Sequence, residues 1–175
     1  KTRIQEFGRI KKCGAKLWVT GCMAQRLGVR LKEEIKTVDR VIGAQQNSDF
    51  IAHLDTYLPK YDHTGALGKL HTSPGDYIAV MRGCENFCTY CIVPHVRGPE
   101  MSVPASEVVS KVSQRVDDGI CEFTLLGQNV NSYHDGDTDF ADLLKMVASV
   151  PGVRRVRFTT SHPKDCSEKL IKTIA

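Results

Sequence analysis

Apolar residues recur along the chain alternately at helical and at strand-like spacing, so short strands and helices are predicted in turn. In the first third, Ile4, Phe7 and Ile10, with Cys13 next in the series, mark one apolar stripe of a first helix. The pattern also predicts strands at 17–20 and 40–42, and helices at 26–36 and from Ser48 onward. Alternating strands and helices are typical of a parallel sheet. We therefore predict an α/β fold for this part of the chain.

Residues 59–75 interrupt the alternation. They are poor in large apolar side chains and contain four turn-forming residues, Pro59, Gly65, Gly68 and Pro74. This composition is typical of a linker. The sequence therefore predicts a first domain at 1–58 and a second domain at 76–175, joined by this linker.

The second domain shows the same alternation three times. Its pattern predicts strands at 78–81, 123–126 and 153–160, and a polar loop around Gly136. It also predicts a helix that starts near Pro104 and carries Val108 and Val112, a helix with apolar residues from Phe140 to Val147, and a last helix capped by Asp165. This corresponds to the first half of a (β/α) barrel or of a doubly wound sheet. Both architectures place active-site residues at the carboxyl ends of the strands. Here those positions hold a cysteine-rich loop, Gln128-Asn129 and Ser161-His162.

Composition and charge exclude several classes of protein. With 41% hydrophobic residues, the chain can form a core, which excludes global disorder. No run approaches the roughly 18 apolar residues of a membrane-spanning helix. The chain starts at Lys1 without a methionine, and we interpret it as an internal fragment. Residues 1–76 carry 13 Lys/Arg against 8 Asp/Glu, which suits either contact with RNA or an ordinary solvated surface.

Three of the seven cysteines lie within eight residues, Cys84, Cys88 and Cys91, in a C-x3-C-x2-C pattern. An odd, unevenly spaced set does not fit a disulfide framework and favours an intracellular metal protein. Thiolates are soft ligands for iron–sulfur clusters, zinc or copper(I). Structural zinc sites and ferredoxin clusters take four protein ligands. A cubane cluster held by three cysteines would instead leave one iron open for a small molecule.

This loop resembles the cluster loop of the radical S-adenosylmethionine (SAM) superfamily, with Tyr90 at the aromatic position. The resemblance implies that the three cysteines bind a [4Fe–4S] cluster whose free iron chelates SAM, which is then cleaved to a 5′-deoxyadenosyl radical. The candidate SAM-binding residues are Tyr90, Gln128, Asn129 and Ser161. Gln128 and Asn129 could instead form a polar turn. His162 is a strand-end candidate like Ser161, and its alternative role is a local cap before Pro163.

Four segments, 19–25, 82–98, 126–133 and 160–163, are similar to the MiaB branch of the radical SAM methylthiotransferases. That branch adds a methylthio group to carbon 2 of an isopentenylated adenosine beside the tRNA anticodon. The resemblance implies the end of an N-terminal α/β domain followed by the first half of a partial (β/α) barrel. It also implies tRNA as substrate, sulfur-donor and electron-donor proteins as partners, and a cytoplasmic monomer without membrane attachment.

The family further implies a second [4Fe–4S] cluster in the N-terminal domain, bound by three cysteines. Only Cys22 matches one of those ligands, and Cys13 matches none. Arg97-Gly98 bounds the SAM pocket or simply turns the chain. Arg155 and Arg157 share one side of a strand, which faces either the barrel mouth or solvent.

Two other functions stay open at this point. One is a methylthiotransferase that acts on a ribosomal protein or on a differently modified adenosine. The other is a non-catalytic interaction module stabilised by a metal. The sequence names no catalytic residue beyond the predicted ligands, and it predicts that the isolated 175 residues are inactive.

Overall fold

The computed structural model describes residues 1–46, 50–54 and 75–175. These residues form two compact units: the first contains 1–46, 50–54 and Phe87–Gly98, and the second contains 75–86 and Pro99–Ala175. The predicted cap at Ser48 and the predicted linker, apart from Gly75, lie outside the described residues. The predicted domain boundaries stay a prediction.

Helices and strands are interspersed along the described part of the chain. In order they are α1 (Thr2–Ile10), β1 (Trp18–Gly21), α2 (Cys22–Leu27), α3 (Val29–Glu34), β2 (Arg40–Gly43), α4 (50–54), β3 (Gly75–Ala79), β4 (Met81–Arg82), α5 (Val93–Arg97), β5 (Met101–Ser102), α6 (Ala105–Asp117), β6 (Glu122–Leu126), β7 (His134–Asp135), β8 (Thr138–Asp139), α7 (Phe140–Ala148), β9 (Arg155–Phe158) and α8 (Glu168–Ile174). The α/β fold class is confirmed, since the main strand pairs are parallel.

The first unit is built on the parallel pair β1–β2, in which Trp18 lies opposite Arg40 and Gly21 opposite Gly43. Its core is small and consists of Val19, Ala24, Leu31, Ile35 and Val38. The predicted apolar stripe of α1 contributes little to this core, because Phe7 and Ile10 are exposed.

The helix predicted at 26–36 is wrong in its bounds. Helix α2 begins directly after β1 at Cys22, and the helical path breaks at Gly28, whose backbone angles are φ 50° and ψ −132°. A positive φ of this kind is readily adopted by glycine. The leucine spacing continues across the break, because Leu31 is buried in the next helix, α3.

Basic residues of the first unit are partly neutralised by acidic neighbours. Lys11 Nζ lies 2.8 Å and Lys16 Nζ 3.7 Å from the Asp39 carboxylate, and Lys1 pairs with Glu34. Hydrogen bonds from Lys11 and from the Leu17 backbone N–H lower the pKa of Asp39 to about 2. Three of the six basic residues in 1–16 are therefore engaged within the protein.

The second unit contains a three-stranded parallel sheet in the order β3-β6-β9. Gly75 pairs with Glu122, which in turn pairs with Arg155. Helices α6 and α7 cover the sheet with the apolar residues that the sequence assigns to them, including Val108, Val112, Phe140, Leu143, Leu144 and Val147. The three predicted βα units are thus present, although the first strand, predicted at 78–81, begins earlier at Gly75 and ends at Ala79.

Two local predictions in the second unit are corrected. The polar stretch predicted as a loop around Gly136 forms the antiparallel hairpin β7–β8. Helix α8 is capped by Ser167, whose Oγ accepts from the Leu170 N–H at 3.1 Å, and not by Asp165. The Asp165 carboxylate instead accepts a hydrogen bond from Asn129.

A membrane-crossing helix is not found among the described residues, since each helix there is too short or too polar.

Candidate functional site

The carboxyl ends of β3, β6 and β9 lie side by side, because these strands are parallel and adjacent. The chain leaves them through the segments 80–84, 127–132 and 159–162. These segments contain Cys84, Gln128, Asn129 and Ser161, four of the residues predicted from the sequence. The structure therefore brings these predicted positions to one edge of the sheet.

Gln128 fixes the backbone just before the first cysteine of the loop. Its Oε1 accepts a hydrogen bond from the Gly83 N–H at 2.7 Å. Gly83 has φ 84°, and the following residue, Cys84, is 9% exposed. The amide oxygen of Gln128 thus links the carboxyl end of β6 to the start of the cysteine loop.

Asn129 carries an unpaired buried acceptor. The residue is 2% exposed, and its Nδ2 donates to Asp165 Oδ2 at 2.6 Å. Its Oδ1 is buried and has no hydrogen-bond partner among the described residues, which is unfavourable in a folded protein. This oxygen is available to a donor group on a bound ligand.

Asn131 joins the segments that follow β6 and β9. Its Nδ2 donates to the His162 carbonyl at 2.8 Å, and its Oδ1 accepts from the His162 N–H at 2.8 Å. The Val130 N–H adds a bond to the Thr160 carbonyl at 2.9 Å. His162 Nδ1 accepts from the Lys164 N–H at 3.2 Å, a local cap, while Ser161 is exposed at this edge.

Glu100 connects the cysteine loop to the same edge. Its Oε1 accepts from the Glu85 N–H at 3.3 Å, and its Oε2 accepts from the Ser132 hydroxyl at 2.8 Å. Sequence reasoning missed both Glu100 and Asn131. Their partners lie 15 to 32 residues away along the chain, so the only available signal was their polarity close to the predicted site.

The rest of the cysteine loop belongs to the first unit. Cys88 and Cys91 are half-buried, and the Cys91 N–H donates to the Cys88 carbonyl at 2.8 Å in a tight turn. Tyr90 is 90% exposed. His95 packs edge-on against the Phe87 ring, with ring centroids 5.8 Å apart.

The donor set of the loop fits an iron–sulfur cluster. Cys84, Cys88 and Cys91 are all free thiols, and thiolates are the ordinary protein ligands of such clusters. Among the described residues, no three His, Cys, Asp or Glu side chains are gathered around a point that would suit one metal ion. The three thiolates of this loop would be the protein ligands of such a cluster.

Cys22, the predicted ligand of a second cluster, lies in the first unit at the start of α2. Arg97 Nε donates a hydrogen bond to Cys22 Sγ at 3.1 Å. Arg97 is the last residue of α5, which packs against α2. The ligand roles of all four cysteines stay predictions, as do the SAM contacts of Tyr90, Gln128, Asn129 and Ser161.

The arginines of β9 pair with the first residue of β6, Glu122, at the opposite end of the sheet. Arg155 and Arg157 both pair with Glu122, at 3.1 and 2.8 Å. The hydrogen bond from Arg157 is the main cause that lowers the pKa of Glu122. The two interpretations are that these arginines face the barrel mouth or solvent. The structure favours solvent, because both arginines are exposed and paired with Glu122.

A search against protein families matches residues 78–175 to the Radical SAM superfamily, which is more than half of the chain. The chain belongs to the radical SAM superfamily. The matched region holds the three-cysteine loop, the end of β3 and the whole of β6 and β9. Membership confirms the cofactors expected from the loop, a [4Fe–4S] cluster and SAM, and it confirms that this is an enzyme family.

Three curated relatives that share one name are similar to nearly the whole chain. A tRNA-2-methylthio-N(6)-dimethylallyladenosine synthase from Endomicrobium trichonymphae is 40% identical over 174 residues, covering 99% of this chain and 41% of the relative. Proteins of the same name from Citrifermentans bemidjiense and Geobacter sulfurreducens are 41% and 40% identical over 98% and 95% of the chain. The chain spans about two fifths of the length of these radical SAM relatives.

Proposed function

We propose that the gene product is a radical SAM methylthiotransferase that adds a methylthio group to carbon 2 of isopentenylated adenosine next to the tRNA anticodon. The observation that carries this proposal is 40% identity over 99% of the chain to a synthase named for that reaction. The arrangement of the strand ends supports it, because a cysteine, two amides and an exposed serine meet there.

The proposal gives the cysteine loop the role of cofactor ligand. Cys84, Cys88 and Cys91 hold a [4Fe–4S] cluster, which together with SAM supplies a carbon radical when bound. Such a radical suits the reaction, because carbon 2 of adenine is not activated toward a polar nucleophile. Cys22 is one ligand of a second cluster.

The strand-end residues bind and orient SAM. The unpaired Oδ1 of Asn129 accepts a hydrogen bond from SAM, and the exposed Ser161 and Tyr90 contact it from the loops. Gln128 acts on SAM binding indirectly, because its Oε1 already accepts a hydrogen bond from the Gly83 N–H. It positions the backbone from which Cys84 projects.

The partners follow from the same proposal. The substrate is tRNA, and separate proteins donate sulfur and electrons. The gene product is a cytoplasmic monomer. The basic residues near the start of the chain that have no acidic partner assigned above, Arg3, Arg9 and Lys12, suit contact with RNA phosphates.

The test uses the full-length gene product, purified without oxygen. Replacing Cys84, Cys88 and Cys91 by Ala should abolish cleavage of SAM to 5′-deoxyadenosine, whereas replacing the exposed Cys166 should leave it intact. In parallel, tRNA nucleosides from cells with and without the gene are compared by mass. We expect the methylthio nucleoside to disappear and its isopentenyl precursor to accumulate in cells without the gene.

Three results would contradict the proposal. Retained SAM cleavage in the triple variant would remove the cluster role of the loop. Unchanged tRNA with an altered mass of a ribosomal protein, or of a different nucleoside, would reassign the substrate. Stoichiometric zinc without sulfide would leave a metal-stabilised interaction module.

A further inference from the structure

Arg97 is the side chain whose position the proposed function does not explain. Its Nε lies 3.1 Å from Cys22 Sγ, although the two residues are 75 positions apart in the sequence. Both are half-buried, so the contact is partly shielded from water. The guanidinium is therefore held against a sulfur that the proposal makes a cluster ligand.

The backbone holds Arg97 in this place through two elements of the first unit. Helix α5 ends at Arg97, and the next residue, Gly98, adopts φ 81° with its N–H bonded to the Pro94 carbonyl. Helix α5 packs on α2, whose first residue is Cys22. The contact is thus built from helix packing and a glycine turn.

An N–H donor and a positive charge beside a ligand sulfur have two general effects. They orient the ligand, which strengthens metal binding. They also stabilise the more negative, reduced state of a cluster, which raises its reduction potential. Arginine keeps its charge at any physiological pH, so both effects are permanent.

We propose that Arg97 is a positioning residue for the cluster bound through Cys22, where its Nε–H holds the ligand sulfur and raises the cluster's reduction potential. The inference rests on the proposed function, because that function assigns Cys22 as a ligand. The segment that carries Cys88 and Cys91 then also controls the ligand of the other cluster, since Arg97 follows Cys91 by six residues.

The experiment isolates the cluster at Cys22. The full-length gene product carries alanine at Cys84, Cys88 and Cys91, so that the remaining iron–sulfur signal comes from the second cluster. In this background Arg97→Gln removes the charge, Arg97→Lys keeps it, and Arg26→Gln is the matched control, removing an exposed charge from α2 itself. The midpoint potential and the rate of iron release to a chelator are measured for each.

We expect Arg97→Gln to shift the midpoint potential to more negative values and to release iron about 10-fold faster. Arg97→Lys should lie between Arg97→Gln and the parent, and Arg26→Gln should match the parent. If Arg97→Gln holds no cluster although its thermal unfolding is unchanged, the inference is supported, provided that Arg97→Lys retains iron. If Arg97→Gln does not fold, the midpoint potential of Arg97→Lys is the deciding measurement. A value more negative than that of the parent supports the inference, and an equal value overturns it.

Two results would overturn the inference. The first is a potential and a release rate in the Arg97 variants equal to those of the parent, or an equal change in Arg26→Gln. The second is an iron-free triple variant, which would show that Cys22 holds no cluster. Neither result affects cleavage of SAM in the protein with its loop cysteines intact, so the methylthiotransferase activity is judged separately. The second result removes only the ligand role proposed for Cys22.

Discussion

The two ends of the three-stranded sheet in the second unit are stabilised by different interactions. At the carboxyl end, the uncharged amides Gln128 and Asn131 bond to backbone groups over 2.7 to 2.8 Å. At the amino end, the side chain of Glu122 pairs with those of Arg155 and Arg157. The first set ties loops to strands, and the second ties one strand to its neighbour.

The difference distinguishes the end of the sheet that suits ligand binding from the end whose charged side chains face solvent. Hydrogen bonds from a half-buried amide to the backbone fix a loop in one conformation, which a ligand site requires. Ion pairs between exposed side chains contribute little and are screened by salt. The end of the sheet with candidate ligand-binding residues is thus the end at which loop backbones are fixed by side chains.

Replacing Asn131 by Ala should have the largest effect. It removes both bonds to His162, and we expect the free energy of unfolding to fall by about 1 to 3 kcal/mol, measured by urea titration. Asn131→Asp keeps the acceptor for the His162 N–H but loses the donor, and should be intermediate. An Asn131→Ala protein as stable as the parent would show that the carboxyl end is not held by these bonds.

Replacing Gln128 by Ala should have a smaller effect on stability, about 1 kcal/mol, because one hydrogen bond to the Gly83 N–H is lost. The effect on SAM affinity of the cluster-loaded protein should be larger than the effect on stability suggests, since Cys84 follows directly. Gln128→Glu, which keeps an acceptor oxygen, is the conservative variant. The exposed Gln114 on α6 provides the control substitution, and equal SAM affinity in Gln128→Ala and Gln114→Ala would contradict the expectation.

Replacing Glu122 by Gln should have the smallest effect and should leave SAM affinity unchanged. The pKa of Glu122 is lowered from about 4.5, chiefly by the hydrogen bond from Arg157. A carboxyl group whose pKa is lowered by folding stabilises the fold above its unfolded pKa, and this stabilisation is lost as the pH falls through the folded value. The thermal midpoint of the parent should therefore drop slightly more than that of Glu122→Gln below pH 4.5.

High salt should remove this difference, because it screens exposed charges. Glu107→Gln, which breaks a pair with Lys111 inside α6, is the matched control at a site that joins no strands. A loss of SAM affinity in Glu122→Gln would show that the two ends of the sheet do not differ in the way described.

The sequence pattern predicted the strands of the parallel sheets and their covering helices because burial repeats at fixed intervals. The apolar face of α7 is one example, with Phe140 and Leu143 where the spacing places them. The pattern failed at Gly28, since leucine spacing continued across a break that depends on one backbone conformation. It also failed at Asp165, whose partner Asn129 lies 36 residues away.

The candidate site was predictable to the extent that its chemistry is local in sequence. A soft-metal site is predicted by the spacing of Cys84, Cys88 and Cys91 alone. The contacts of Glu100, Asn131 and Arg97 join segments that are distant in the chain, so side-chain type gave no indication of their partners. These contacts become visible when the strands and helices have been placed.

The hairpin β7–β8 caps two helices at once. Asp135 on its first strand accepts from the Ala105 N–H at 2.8 Å, at the start of α6. Asp139 on its second strand accepts from the Asp142 N–H at 2.9 Å, in the first turn of α7. Displacing either aspartate would remove a hydrogen-bond acceptor from a helix N-terminus, at a cost of roughly 0.5 to 2 kcal/mol. One hairpin thus couples the N-termini of α6 and α7, so a change in its length bears on both helices.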